Sequence, residues 1–581
     1  MTFTPPITEQ RFVLEHITGM EHLAESERFA EATPDMVDAI LEGVGQLATG
    51  EWAPLNRPGD QAGAKLTEDG VVMPEGFKEA YKAYVEGGWG TIDAPTEFGG
   101  QGLPFSLAVA VLDTLGAANM SLSLCPMLSV GAIEALLHHG SEELQQYYLP
   151  KLSTGEWTGT MNLTEPQAGS DVGALKTKAE PAEGGSWRIK GTKIFITFGE
   201  HDMAANTLHL VLARTPGSPE GTKGISLFAV PRYRLDEKGE PGVFNDAKCV
   251  SLEEKLGIHA SPTCVMSYGD NDDCHGWLIG PENGGMRAMF TMMNNARLNV
   301  GCQGAQIAER ATQRAVAFAR ERVQSARAGA NSRDPVTIIN HPDVRRMLLR
   351  MKALTMAARA LVYYAAGQVD RATLGDDDAR ARSEVLTPLA KAYGTDCGCE
   401  VAGLGVQVHG GMGFVEETGA AQHFRDARIA PIYEGTNGIQ AADLVGRKLR
   451  LGGGAALRSL LEDIAKEAAN EDHLASLAAD VEAVVHRLSS DDASVDDALA
   501  ASYPFLTMLS VLTCGWLMAR QLRIAEAQLS TGSGDNEFLD IKIAAARFYL
   551  DQIVPEAAGL KAAALTDADI LYSIGEEAFA A

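Results

Sequence analysis

A chain of 581 residues is too long for one ordinary core and predicts two to four domains. With 45% hydrophobic and 22% charged residues it has the composition of a folded globular protein, which excludes extensive disorder. A formal net charge of −28 argues against nucleic acid and anionic membranes as partners, while leaving room for an anionic ligand in a local pocket of Arg and backbone N–H groups.

Residues 1–155 read as an N-terminal helical domain. Met1–Pro6 lacks a basic region followed by an apolar run, so no signal peptide is predicted. Thr33-Pro34-Asp35-Met36 resembles a helix start, and Met36–Leu47 has apolar residues at helical spacing. A Gly- and Pro-rich loop is predicted over Trp52–Gly63 and a turn region over Thr91–Pro104. Helices then resume over Phe105–Leu149, with Pro150 near the stop.

Residues 156–276 read as a central antiparallel β-domain. Short strand-like runs (187–190, 193–197, 208–212 and 225–230) are separated by Gly, Pro, Asn and Asp turns. Residues 277–450 read as a C-terminal helical domain, with long helices over Met286–Arg322, Asp343–Ala366 and Arg380–Val406. Gly452-Gly453-Gly454 marks a hinge, and residues 451–581 read as an additional helical unit. The class is therefore α+β.

The longest charge-free apolar stretch, Tyr503–Ala519, falls short of the roughly 20 apolar residues a membrane span needs. It reads as a buried helix. The eight cysteines are scattered, and Cys397 and Cys399, two apart on a helix, face different directions. No His or Cys cluster has metal-ligand spacing, so no metal site is predicted. A reduced, cytoplasmic protein fits these features.

Four segments carry chemistry. Met161–Gly173 (MNLTEPQAGSDVG) has glycines and hydroxyls that let a backbone approach a flat or phosphorylated ligand, and reads equally as a β-turn. Lys193–Gly199 (KIFITFG) alone is an unremarkable strand. Gln407–Phe414 (QVHGGMGF) sits between helices, where three glycines in four positions suit either a close approach or a simple turn. Arg425–Gln440 (RDARIAPIYEGTNGIQ) places Glu434 among Pro, Ile, Tyr and Gly. Such neighbours favour a stronger base by desolvation, although a lone Glu before a helix serves equally to complement the helix N-terminus.

In this order and at these separations the four segments resemble the acyl-CoA dehydrogenase family over about residues 80–450, which implies an N-terminal helical domain, a β-domain and a C-terminal four-helix domain. Glu253–Cys264 (EEKLGIHASPTC) looks like the strand and turn near the end of that family's β-domain. The resemblance implies FAD as cofactor, with Leu163, Thr164, Gly169 and Ser170 lining the flavin or its phosphorylated arm. It puts Phe195, Ile196 and Thr197 against the flavin ring, and Thr436 as a hydroxyl near the cofactor. Arg322, Gln407, Gly410 and Gly411 look like residues supplied across a homodimer interface. Arg297 looks like the arginine near the CoA chain, with Ser170 and Gly435 also on the substrate. Asn294 stands where many relatives have Asp, and Val323-Gln324-Ser325-Ala326 lacks the Phe-Gly pair that often follows the interface arginine.

Glu434 matches the family's base, taking the α-proton of an acyl thioester while the β-hydrogen leaves as hydride. An electron-transfer flavoprotein is the implied electron acceptor. The length beyond the typical family member resembles a longer bacterial subgroup, for which 3-methylthiopropanoyl-CoA is the expected substrate. Short- or medium-chain fatty acyl-CoA, an acyl-CoA oxidase and a non-catalytic flavin- or CoA-binding scaffold are the alternatives.

Overall fold

Apolar runs and helix signals become elements in two structural units of a computed structural model that describes residues 3–490 and 493–581. One unit comprises residues 3–5 and 39–299, the other residues 6–38 and 300–581.

Helix α1 (Pro34–Leu47) starts where predicted, with the Met36 N–H donating to Thr33 Oγ1 at 3.3 Å. The predicted loop after it is instead largely helix α2 (Ala53–Ala62), following a π-helical turn at Ala48–Trp52. Pro54 falls in its first turn, where no N–H is needed, and Gly63 ends it at φ +63°. Four more helices follow, a ten-residue one at Phe77–Glu86 and then α3 (Phe105–Ala118), α4 (Met120–His139) and α5 (Glu142–Thr154). Pro150 does not stop α5, which runs on to a left-handed cap at Gly155.

The sheet has eight strands: β1 Thr158–Asn162, β2 Lys178–Pro181, β3 Trp187–Thr197, β4 Thr207–Ala213, β5 Ser226–Pro231, β6 Ala247–Leu252, β7 Thr263–Tyr268 and β8 His275–Ile279. Their order is β6-β7-β3-β8-β5-β4-β1, with β2 also on β3. Every residue of β1, β4 and β5 is buried, so these strands read as continuous runs rather than alternating patterns. The two runs predicted at 187–190 and 193–197 form one strand that changes partners. Its first half pairs with β2 and β8, its second with β7. Contrary to the antiparallel expectation, β1 and β4 are parallel. The long connection from Asn162 to Thr207, which includes β2 and β3, permits the crossover that a hairpin would forbid.

Long helices dominate the rest: α6 (Gly285–Glu321), α7 (Pro342–Thr373), α8 (Asp377–His409) and the ten-residue α9 (Asn437–Gly446). Within the unit from Val300 onward, α6 and α8 cross at backbone contact. A Cβ added at Gly304 would lie 1.8 Å from the Gly394 carbonyl oxygen, and one at Gly394 would lie 2.6 Å from that of Gly301. The glycine hinge forms a 3-10 turn at Lys448–Gly454, with positive φ at all three glycines of Gly452–Gly454. Beyond it lie α10 (Ala455–Ala468), α11 (Asp472–Leu488), α12 (Val495–Thr531) and α13 (Asn536–Phe548). Helix α12 packs on α7, α9, α11 and α13.

Among the described residues two helices, α4 and α12, are long and apolar enough to cross a bilayer, and only α12 contains the stretch Tyr503–Ala519. Their apolar windows are 83% and 67% buried in the fold, as core helices are.

Candidate active site

After β1 the chain turns sharply. Glu165 and Ala168 exchange backbone hydrogen bonds at 3.0 and 2.9 Å, and the Thr164 carbonyl accepts the Ile194 N–H at 2.9 Å. The first predicted segment is thus both a β-turn and a loop fastened to β3. Leu163 and Thr164 are half-buried, whereas Gly169 and Ser170 are exposed, with open space where a Gly169 side chain would stand.

The second segment is shaped by a bulge. Ile196 pairs with Cys264 and Lys193 with Met266, so Ile194 and Phe195 together oppose Val265. Phe195 takes φ +59° and is left 57% exposed, while Ile196 is buried and Thr197 half-buried. A large aromatic held outward on a rigid strand is a platform for a flat ring.

Two residues inside these motifs were given no role by the sequence. Lys193 has no exposed side-chain surface, and its ammonium donates to Glu165 Oε1 at 2.8 Å and the Leu163 carbonyl at 3.0 Å. The Glu165 carboxylate also accepts from Thr177 Oγ1 (2.6 Å) and from the N–H groups of Lys176 (2.7 Å) and Thr177 (3.0 Å). Burial opposes its charge, but the Lys193 ammonium and these donors overcome that and bring its pKa down to about 2. The pair ties loop to strand.

In the helical unit, Arg322 directly follows α6, and Gln407, Gly410 and Gly411 lie at the end of α8. The stacked rings of Phe318 and His409, 4.4 Å apart, bring these two ends together. Arg322, Gln407, Gly410 and Gly411 are all exposed, and a Cβ at either glycine would meet nothing within 4 Å. Gly410 needs its glycine for conformation, at φ +61° and ψ −140°. Arg297 lies on α6, buried, in the other unit.

Glu434 is half-buried on a left-handed turn, at φ +54°, followed by Gly435 at φ +82°. Such a conformation is strained for a non-glycine residue, and the neighbours fix it. The Tyr433 hydroxyl donates to Gln303 Oε1 on α6. The Asn437 N–H closes the turn onto the Pro431 carbonyl at 3.0 Å. Thr436 caps α9, accepting the Ile439 N–H at 3.1 Å. The Asn437 side chain is anchored to α8, accepting from Lys391 Nζ at 2.9 Å and donating to Asp396 Oδ1 at 2.9 Å. Lys391 carried no sequence signal, and Asn437 was legible only as part of its motif.

Among the described residues no group of His, Cys, Asp and Glu could hold a metal ion. One unit offers an outward aromatic at Phe195, half-buried hydroxyls at Thr164 and Thr197, and open space beside Gly169; the other offers open space beside Gly410 and Gly411 and a carboxylate on a fixed turn. The first set suits a flat ring such as a flavin and the second suits proton abstraction from a carbon acid, the two requirements of a flavin-dependent oxidoreductase.

Four family descriptions match in sequence: "Acyl-CoA dehydrogenase, N-terminal domain" over 38–156, "Acyl-CoA dehydrogenase, middle domain" over 160–270, "Acyl-CoA dehydrogenase, C-terminal domain" over 283–449 and "Acetyl-CoA dehydrogenase C-terminal like" over 457–574. The chain belongs to the acyl-CoA dehydrogenase family. It is 46% identical to 3-methylmercaptopropionyl-CoA dehydrogenase of Ruegeria pomeroyi, over 96% of this chain and 97% of that one. It is 37% identical to a butyryl-CoA dehydrogenase of Syntrophomonas wolfei, over 94% of each. An acyl-CoA dehydrogenase from Bacillus anthracis, solved with FAD, shares the fold at TM-score 0.70 and 22% identity, over 98% of this chain and 91% of that one. The chain is thus an FAD-dependent oxidoreductase acting on an acyl-CoA.

Proposed function

We propose that this enzyme desaturates 3-methylthiopropanoyl-CoA at its α,β carbons, with Glu434 as the base. The observation that carries the chemistry is a carboxylate on a left-handed turn braced from three directions, by Gln303 on α6, by Lys391 and Asp396 on α8, and by the α9 cap. The substrate choice rests on the 46% identical relative of that name.

Glu434 takes the α-proton, and backbone N–H donors at its turn stabilise the developing enolate oxygen. Bound FAD supplies the acceptor for the β-hydrogen and its electron pair, which leaves a trans-2-enoyl thioester. Leu163, Thr164, Gly169, Ser170, Phe195, Ile196, Thr197 and Thr436 hold the cofactor. Arg322, Gln407, Gly410 and Gly411 reach the cofactor of a second copy. Ser170, Arg297 and Gly435 contact substrate. Exposed Met412, Phe414 (87%), Val415 and Phe424 beside the α8 glycines support a homodimer through this surface. The domains divide at 1–155, 156–276, 277–450 and 451–581. The protein is cytoplasmic and passes electrons to an electron-transfer flavoprotein.

The test is anaerobic flavin absorbance during addition of 3-methylthiopropanoyl-, butyryl-, octanoyl- and palmitoyl-CoA. Fastest bleaching by the thioether substrate is expected. Preference for butyryl-CoA would replace the substrate and keep the chemistry. Glu434→Gln should keep the yellow cofactor and lose bleaching; undiminished bleaching in that variant would remove Glu434 from the role. Rapid reoxidation by O₂ alone would make the enzyme an oxidase.

A further inference from the structure

The residues beyond the hinge have no part in the chemistry above, yet one of their helices reaches the turn that carries Glu434. Helix α12 packs along α9, which begins three residues after Glu434. From α12, Tyr503 sends its hydroxyl to Asp396 Oδ2 at 2.6 Å. The other oxygen of that carboxylate accepts from Asn437 Nδ2 at 2.9 Å. The same amide also donates to the Ala392 carbonyl at 3.1 Å, and its oxygen takes Lys391 Nζ at 2.9 Å. Asn437 is thus fixed at both ends of its amide, and its own N–H closes the Glu434 turn.

Burial alone does not account for a tyrosine at this place. The Tyr503 residue remains 39% exposed, while its hydroxyl is committed to a carboxylate. A hydroxyl held by a carboxylate is a directional, charge-assisted contact rather than packing.

We propose that Tyr503 is a positioning residue for Glu434: through Asp396 and Asn437 the C-terminal helical unit clamps the left-handed turn that presents the base. This rests on the reading of Glu434 as base. Asp396 is the sensitive link. Burial pushes its carboxyl upward, and the Tyr503 and Asn437 donors work against that. Without the phenol the carboxylate loses a donor on one oxygen, its hold on Asn437 loosens, and the strained turn relaxes.

Tyr503→Phe keeps the ring and removes only the hydroxyl. In the holoenzyme, the flavin-reduction rate constant at saturating 3-methylthiopropanoyl-CoA or butyryl-CoA should fall about five- to tenfold. The half-saturating substrate concentration should hold, and the pH profile of the reduction step should shift. In the same holoenzyme, amide hydrogen exchange over residues 431–446 should quicken while that over residues 158–279 stays as in the parent. Asp396→Asn should act in the same direction, which guards against a folding defect peculiar to one variant. Parental rate, pH profile and exchange in Tyr503→Phe would overturn the clamp, and so would a slowed reaction with unchanged exchange at 431–446. Glu434→Gln, measured alongside, separates the two readings. If it still reduces flavin, the base assignment fails; if it is inert while Tyr503→Phe behaves as parent, only the clamp fails.

Discussion

Phe195 and Glu434 are both left-handed at non-glycine positions, one on a β-strand and one between helices, and they are held by opposite means. Beside Phe195 the loop and strand are locked by a buried ion pair, Lys193 with Glu165, in which the carboxylate also takes Thr177 and Lys176 donors. The Glu434 turn hangs instead on two neutral groups, the Tyr433 phenol and the Asn437 amide, the latter standing between the Lys391 ammonium and the Asp396 carboxylate. The difference has a chemical logic. A surface proposed to hold a flat ring needs rigidity, and a buried, multiply bonded ion pair provides it. A carboxylate that serves as a base, the role proposed for Glu434, changes charge during turnover, and neutral groups next to it move its charge balance less than an adjacent ion would.

The sharpest way to break the comparison is Lys193→Met. It leaves the Glu165 carboxylate buried without its cation and should cost about 3–5 kcal/mol of stability. Thermal unfolding reads the loss, and adding Glu165→Gln should return part of it. Next is Gly304→Ala, which strikes the other side. Its Cβ would lie 1.8 Å from the Gly394 carbonyl oxygen, so α6 and α8 must part. Those helices carry Gln303 and Lys391, so a destabilisation of about 1–3 kcal/mol should come with slower flavin reduction. A stable and fully active Gly304→Ala would show that the crossing does not set the turn.

Smallest over the accessible range is a pH effect. The folded pKa of Glu165 is depressed, to about 2. Its contribution is therefore complete above the unfolded carboxyl value of about 4.3 and is lost as pH falls through that window toward the folded value. Acid should lower the unfolding midpoint of the parent more than that of a Glu165→Gln, Lys193→Met protein. Equal sensitivity in the two would mean the ion pair does not hold the loop.

Much of this was legible in the chain. Helix and strand signals located α1, α6, α7, α8 and the strands around Ile189, Leu210 and Phe228, because periodicity and turn residues act locally. The misses share a cause. Trp52–Gly63 and Pro150 look like helix breakers, yet a proline in a first turn, or in a helix supported by packing, is tolerated. The parallel pairing of β1 with β4 depends on which strands meet after a long crossover, which no local pattern encodes. At the site, the motif residues Phe195 and Glu434 stood out by their neighbours in sequence. Lys391, Asp396 and Tyr503 did not, since their partners lie 46, 41 and 107 residues away.

By itself the sequence determined the family and so the class of enzyme, because the motif segments carry their residue types in order whatever surrounds them. It also determined the α+β layout, because apolar periodicity selects helix or strand before any tertiary contact forms. Only the tertiary structure decided how the two strained residues are held. The bulge at Phe195 exists because β3 and β7 pair out of step, and the Glu434 turn is fixed by side chains from three helices that meet only after folding. Strain of this kind cannot be stored by a local segment alone, since a free chain would relax it; it persists where distant partners over-determine the backbone.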